Sequence, residues 1–225
     1  MPGASPDAAE PRLSPRGANA LSPFIPGADA QMQGAQFVTD FGDQAVLLPL
    51  AAGVALVFAL AGWRRGAVAW VAAVAGTLAA MLVFKLGFMA CGHLLPGDQI
   101  HSPSGHTAAA AAIYGGLLAV AARFFTGHGR WTLACALLVT LVIGASRLAL
   151  GVHTGLEVAV GGAVGVCGAM AADRLAGAPP PGLRIRRLAA VTVLVLVLLH
   201  GVHMPAEAAI RSAALDLWPL SSCHR

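Results

Sequence analysis

The chain has 225 residues, of which 57% are hydrophobic and only 11% are charged. An average soluble domain contains about 25% charged residues, so this composition argues against an ordinary water-soluble protein and predicts one embedded in a lipid bilayer. The net charge of +4 does not indicate nucleic-acid binding, because the basic residues form no run interleaved with aromatic ones and instead fall between apolar stretches.

The amino-terminal segment, residues 1–34, contains six prolines and shows no apolar periodicity. We therefore predict a disordered, Pro-rich tail. It does not resemble a signal peptide, because it lacks a basic region followed by an apolar one. Residues 35–43 place apolar side chains at positions 37, 38 and 41, a pattern typical of a short helix in the membrane interface.

Six apolar stretches follow, and each approaches the roughly 20 helical residues needed to cross a ~30 Å hydrocarbon core. They are residues 44–62, 66–91, 105–122, 132–151, 154–172 and 188–204. The third and fifth are rich in Ala and Gly, which is typical of helices packed inside a bundle. We predict an all-α fold, a polytopic membrane helical bundle over residues 44–204, followed by an amphipathic outer segment over residues 205–225.

The arginines predict the orientation of this bundle. Eight of them lie in the loops after the first, third and fifth spans: Arg64, Arg65, Arg123, Arg130, Arg174, Arg184, Arg186 and Arg187. Cytoplasmic loops of membrane proteins are enriched in Lys and Arg. The side with eight arginines is therefore predicted to be cytoplasmic, and both termini face outward.

The other unusual polar residues gather at the outer ends of the spans. They are Lys85 in the second span, Ser104, Gly105 and His106 at the start of the third, Arg147 near the end of the fourth, and His153 and Glu157 at the start of the fifth. Charged groups at membrane depth are costly, and function is the usual reason that they persist. The topology thus predicts one site on the extracytoplasmic face.

The spacing of these residues resembles the motifs of the type 2 phosphatidic acid phosphatase (PAP2) superfamily, KxxxxxxRP, PSGH and SRxxxxxHxxxD. The chain has PSGH at residues 103–106, then Ser146-Arg147, five residues, His153, three residues and Glu157. The resemblance covers roughly residues 45–175. It implies a PAP2-like catalytic core that needs no metal or other cofactor.

The resemblance also implies a role for each matching residue. His153 would attack phosphorus and form a phosphohistidine, and Glu157 would hold its imidazole in the reactive orientation. His106 would protonate the departing alkoxide and later activate water. A second group would bind the phosphate with cations, a hydroxyl and the amides of a helix start: Lys85, Ser104, Gly105 and Arg147.

The chain departs from the family pattern at two places. Gly92 and His93 stand where the first motif has Arg and Pro, and His93 and His101 are candidates to replace that arginine. Glu157 stands where the family usually has Asp, which adds one methylene. A form of the enzyme retained only for binding is therefore an open alternative.

The function that this resemblance implies is hydrolysis of a lipid phosphate or diphosphate at the outer face of a bacterial inner membrane, with the site facing the periplasm and no nucleic-acid partner. Alternatives are a lipid phosphotransferase that uses the same site and a non-catalytic protein that binds or transports an anion or lipid. Structural interpretations also stay open: a snorkelling Lys85, a simple helix cap at Ser104, an ion pair of Arg147 with Glu157, and a buried His153. Pairing of Cys91 with Cys223 is left open as well.

Overall fold

A computed structural model of the chain describes residues 28–91, 102–205, 210 and 212. Within this part of the chain seven α-helices follow one another: α1 (Ala28–Asp40), α2 (Gln44–Leu60), α3 (Arg64–Cys91), α4 (Gly105–Thr126), α5 (Thr132–Ala149), α6 (Gly155–Ala176) and α7 (Ile185–Leu199). One turn of 3-10 helix, Gly129–Trp131, precedes α5. The predicted all-α fold is confirmed.

Helices α2 to α7 correspond in order to the six predicted spans. Five helical segments of the described residues are long and apolar enough to cross a membrane, and the first of these joins α1 and α2 over Asp29–Leu60. Helix α7 has 15 residues, or about 22 Å at 1.5 Å per residue, which is shorter than the other spans. It packs against α2. The chain is thus an integral membrane bundle of about six helices.

The amino-terminal boundary lies earlier than the sequence pattern suggested. Helix α1 begins at Ala28, so residues 28–34, which we assigned to the tail, belong to the same helix as most of the interfacial segment. Helix α1 packs against α5. Residues 1–27 of the predicted tail, most of the 205–225 segment, and therefore Cys223 lie outside the described residues.

Helices α4 and α6 pack closely because small residues face each other. A β-carbon added to Gly161 would collide with the carbonyl oxygen of Ser104, and one added to Gly165 would collide with that of Ala108. Glycine at these positions lets the two backbones approach, as in other membrane helix pairs. The contact brings the starts of α4 and α6 to the same end of the bundle.

The interior and the outer surface of the bundle are both apolar. Trp70, Phe58 and Leu47 are among the largest fully buried side chains, and the Trp70 indole donates a 3.0 Å hydrogen bond to the carbonyl oxygen of Ala51. Many large apolar side chains are instead exposed on the outer faces: Leu56, Leu60, Val68, Val83, Leu141, Leu194, Val197 and Leu198. Exposed apolar surface of this extent is typical of a membrane contact.

Candidate active site

The first component of the site is the start of α4. Ser104 is the N-cap residue: its hydroxyl accepts a 3.5 Å hydrogen bond from the Thr107 amide and lies 2.9 Å from the Thr107 hydroxyl. Ser104 is fully buried. The hydroxyl is therefore engaged in capping the helix, and its donation to a phosphate stays a prediction.

The second component is the buried carboxylate of Glu157, which is only 4% exposed. Its Oε2 lies 2.9 Å from His153 Nδ1 and accepts a 3.0 Å hydrogen bond from the Thr154 amide. Its Oε1 accepts a 3.0 Å bond from the Ser102 amide. The Glu157 carbonyl oxygen also accepts from the Ser104 amide at 3.0 Å. Glu157 thus ties the PSGH segment to the start of α6.

These contacts orient the imidazole of His153. Because an ionised carboxylate only accepts hydrogen bonds, the Nδ1 that faces Glu157 carries the proton. Nε2 is then the nitrogen with a free electron pair. His153 lies just before α6, whose N-cap is Thr154 in a capping box with Glu157, and the four-residue spacing still brings His153 and Glu157 together. The predicted His153–Glu157 pair is present.

The electrostatic surroundings of His153 act in both directions. Burial of the imidazole lowers the pKa of His153 below its ordinary value of 6.5, and the hydrogen bond to Glu157 opposes this change. The positive charges of Arg147 and Lys85 lower the pKa further. The lowering effects dominate, which favours the neutral imidazole that a nucleophile requires.

The two predicted cations lie at the same end of the bundle. Lys85 is 4% exposed, and a β-carbon added to Gly105 would lie 3.3 Å from its Cε and 3.9 Å from its Nζ. An Arg147 guanidinium nitrogen donates a 3.5 Å hydrogen bond to the Thr39 hydroxyl. Both cations act electrostatically on His153 and His106, so the positive charges and the two imidazoles share one region.

His106 is the second residue of α4, and its side chain is 28% exposed. Its Nε2 lies 3.9 Å from the Oδ2 atom of Asp43 in the turn between α1 and α2. We did not predict a role for Asp43 or for Thr39, which lies at the end of α1. The sequence gives one indication of a role for Asp43: it directly precedes an apolar helix, as an N-cap residue does.

The site therefore combines a helix start, two cations, two imidazoles and a carboxylate behind one of them. A helix start attracts anions through its unsatisfied amides, and fixed cations reinforce this. Within the described part of the chain, no three His, Cys, Asp or Glu side chains are grouped as a metal site. Gly92, His93 and His101, where the first motif departs from the family, lie outside the described residues.

Two comparisons with known proteins give a match. Residues 88–177 match the model of the PAP2 superfamily, a range that includes PSGH, Arg147, His153 and Glu157. A Klebsiella pneumoniae relative, described as an uncharacterized 22.5 kDa protein in cps region, is 29% identical over 192 residues, which cover 82% of this chain and 92% of that protein. No solved structure gives a significant match. Members of the superfamily are generally phosphoester hydrolases. The match over residues 88–177 supports membership of the PAP2 superfamily.

Proposed function

We propose that the protein is a membrane-bound lipid phosphatase that hydrolyses a phosphate or diphosphate ester through a phosphohistidine on His153, without a metal. The observation that carries this proposal is the 2.9 Å contact between His153 Nδ1 and Glu157 Oε2, beside the start of α4 and near two cations. A histidine held in this way presents its other nitrogen to an anion bound at the helix start.

In the first step Nε2 of His153 attacks phosphorus while the bond from phosphorus to the ester oxygen breaks. Lys85, Arg147 and the first amides of α4 stabilise the negative charge that spreads over the phosphoryl oxygens. His106 gives its proton to the departing alkoxide. Glu157 stabilises the positive imidazole that forms on His153 and keeps its own charge.

In the second step water hydrolyses the phosphohistidine. His106, now neutral, accepts a proton from the water molecule, whose oxygen attacks phosphorus as the bond to His153 Nε2 breaks. Inorganic phosphate leaves, and both imidazoles return to their starting states. An imidazole suits this double role because its ordinary pKa is near 6.5, so that it gives and takes a proton near neutral pH.

A lipid is the favoured substrate because the site lies at the ends of apolar helices, and the ends of membrane-spanning helices lie near the lipid headgroups. The arginine-rich loops are at the opposite end of the bundle, and by the positive-inside rule that end is cytoplasmic. The site then faces the periplasm of a bacterial inner membrane. Phosphatidate, phosphatidylglycerol phosphate, polyprenyl diphosphate and lipid A phosphate all have the headgroup chemistry that the site requires.

Two alternatives use the same residues. A phosphotransferase would pass the phosphoryl group from His153 to a second lipid instead of water, and a phosphorylated acceptor would reveal it. A binding or transport protein would hold the anion without chemistry, and the substitution of the first-motif arginine by Gly92 favours this second alternative.

The experiment compares wild-type protein with His153→Ala and with the control His128→Ala, all purified in detergent with EDTA. His128 is an exposed histidine at the opposite end of the bundle. We expect wild type and His128→Ala to release phosphate from at least one lipid of the panel named above, and His153→Ala to release none above background. Equal release by all three proteins would contradict the proposed mechanism, and release by none of them would favour the binding function.

A further inference from the structure

One wall of the site comes from outside the residues that match the family model. The match begins at residue 88, whereas Asp43 lies in the turn between α1 and α2. Asp43 is 5% exposed, and its Oδ2 lies 3.9 Å from His106 Nε2. A buried carboxylate beside a proposed proton donor needs an explanation, because burial of a charge is costly.

The ordinary explanation, helix capping, accounts for only one of the two carboxylate oxygens. Asp43 Oδ1 accepts hydrogen bonds from the Ala45 amide at 2.8 Å and from the Met204 amide at 3.1 Å. These bonds cap α2 and attach the segment after α7. Capping requires an oxygen acceptor but no charge, since Ser and Asn cap helices as well as Asp does. The second oxygen faces His106.

The charges around His106 indicate what this second oxygen does. Lys85 from α3, Arg147 from α5, His153 from the loop before α6, and Asp43 all act electrostatically on the His106 imidazole. A proton donor must carry a positive charge before it reacts, and the neighbouring cations oppose that charge. The carboxylate of Asp43 is the group among these four that stabilises it.

We propose that Asp43 is a positioning residue for His106: its carboxylate opposes the neighbouring cations and so favours the protonated imidazole that gives its proton to the leaving oxygen. The inference rests on the proposed function. The 3.9 Å distance exceeds that of a direct hydrogen bond, so Asp43 acts on His106 through its charge. The proton that leaves His106 goes to the alkoxide and is replaced from the attacking water.

The test compares Asp43→Asn with the control Asp40→Asn. Asn retains the capping oxygen and the shape of Asp43 but removes the charge. Asp40 lies in the same region and is also buried, but its Oδ1 accepts a hydrogen bond from Gln36 and lies 3.0 Å from His203 Nε2. Each variant is assayed with dioctanoyl phosphatidate, which has a poor alkoxide leaving group, and with p-nitrophenyl phosphate, whose acidic phenol leaves without a proton.

We expect Asp43→Asn to lower kcat on phosphatidate by about tenfold to a hundredfold, because general acid catalysis contributes roughly 10² to 10⁴ in rate. Turnover of p-nitrophenyl phosphate changes by less than about threefold, since its leaving group needs no acid. The high-pH limb of the phosphatidate profile moves to lower pH, because the protonated His106 loses its counter-charge. Asp40→Asn leaves both rates and the profile unchanged.

Equal losses of kcat on the two substrates, or no loss on either, would overturn the inference about Asp43. The proposed function would still be supported as long as hydrolysis required His153. Absence of His153-dependent hydrolysis would instead remove the proposed function and this inference with it. If Asp43→Asn does not fold, Asp43→Ser, which also retains a capping oxygen, takes its place. Failure of both variants to fold would assign Asp43 to capping alone and contradict the proposed role.

Discussion

The two ends of the bundle both contain paired charges, partly buried at one end and buried at the other, and they use them differently. At the end with the arginine-rich loops, an Arg123 nitrogen lies 3.1 Å from Asp173 Oδ1 and donates a 2.8 Å hydrogen bond to the Gly177 carbonyl oxygen. The Arg65 side chain donates to the Leu175 carbonyl oxygen at 2.7 Å. These cations satisfy the last carbonyls of α6 and one carboxylate, which is a structural arrangement.

At the site end one cation lies beside the start of a helix, while Arg147 lies in the last turn of α5. Lys85 lies next to Gly105, the first residue of α4, and Arg147 acts on the same two imidazoles. A helix end that presents carbonyls attracts a cation permanently, whereas a helix start beside fixed cations attracts an exchangeable anion. The two ends therefore differ in two ways: the site end has the more deeply buried charges, and it places a cation, Lys85, beside a helix start.

The largest effect on kcat is expected from a substitution of Glu157, the carboxylate that contacts His153. Glu157→Gln removes the charge that orients the imidazole and stabilises it in the transition state. We expect kcat on the best lipid phosphate to fall by roughly 10² to 10⁴, as for other catalytic histidines that lose their carboxylate. Glu157→Asp restores the residue that the family usually has and should retain more activity than Glu157→Gln. Equal activity of wild type and Glu157→Gln would contradict the assigned role.

Glu157→Gln is also expected to change the pH dependence of kcat/KM. The nucleophile must be neutral, and the pKa of His153 lies below 6.5 because burial lowers it more than Glu157 raises it. Activity of the wild type should therefore persist below pH 6.5 and decline as the pH falls through that lowered pKa. Glu157→Gln removes the contribution that raises the pKa, so the acidic limb of log kcat/KM should move to still lower pH. Movement to higher pH would contradict this account.

Smaller effects are expected from one substitution at each end of the bundle, Arg147→Lys at the site end and Asp173→Asn at the arginine-rich end. Arg147→Lys keeps the charge but loses the planar fork, and we expect kcat/KM to fall about tenfold to a hundredfold with little change in the thermal unfolding midpoint. Asp173→Asn should lower the free energy of unfolding by about 1–2 kcal/mol, since the pair is only partly buried, and leave kcat unchanged. Loss of activity in Asp173→Asn with its fold intact would erase the proposed difference between the two ends.

The smallest effect distinguishes the first residues of two helices at the site end. A β-carbon on Gly105, which begins α4, would lie 3.3 Å from Lys85 Cε, whereas one on Gly155, which begins α6, meets nothing within 4 Å. We expect Gly105→Ala to raise KM by about threefold to tenfold through displacement of the Lys85 ammonium, and Gly155→Ala to change KM by less than twofold. Equal KM values for the two variants would show that the start of α4 does not bind the substrate.

Much of the fold was predictable because a helix that crosses a membrane needs a long apolar stretch, which is easy to recognise in a sequence. Apolar stretches of near-spanning length predicted α2 to α6 with boundaries within a few residues, and the Ala and Gly content of α4 and α6 indicated their close packing. Helix α1 was not predicted in full. Its first residues, from Ala28, carry no apolar periodicity, and its stability depends on packing against α5, which local sequence does not encode.

The site was predictable only where spacing along one helix or loop determines distance. The four-residue separation of His153 and Glu157 predicts their contact, and the structure has it at 2.9 Å. Asp43 and His106 are separated in the chain by the whole of α2 and α3, so their 3.9 Å approach depends on how α2, α3 and α4 fold back on each other. The role of Ser104 could not be predicted from the sequence either, because a serine hydroxyl at a helix start can cap the helix or bind a ligand.

The most direct test of the central claim is identification of the residue that carries the phosphoryl group. Wild-type protein is mixed with ³²P-labelled phosphatidate, quenched in alkali within milliseconds and digested for mass spectrometry, since phosphohistidine survives alkali while phosphoserine does not. We expect alkali-stable, acid-labile label on His153 in the wild type and no label in His153→Ala. Label on Ser104, or undiminished turnover by His153→Ala, would contradict the proposed mechanism.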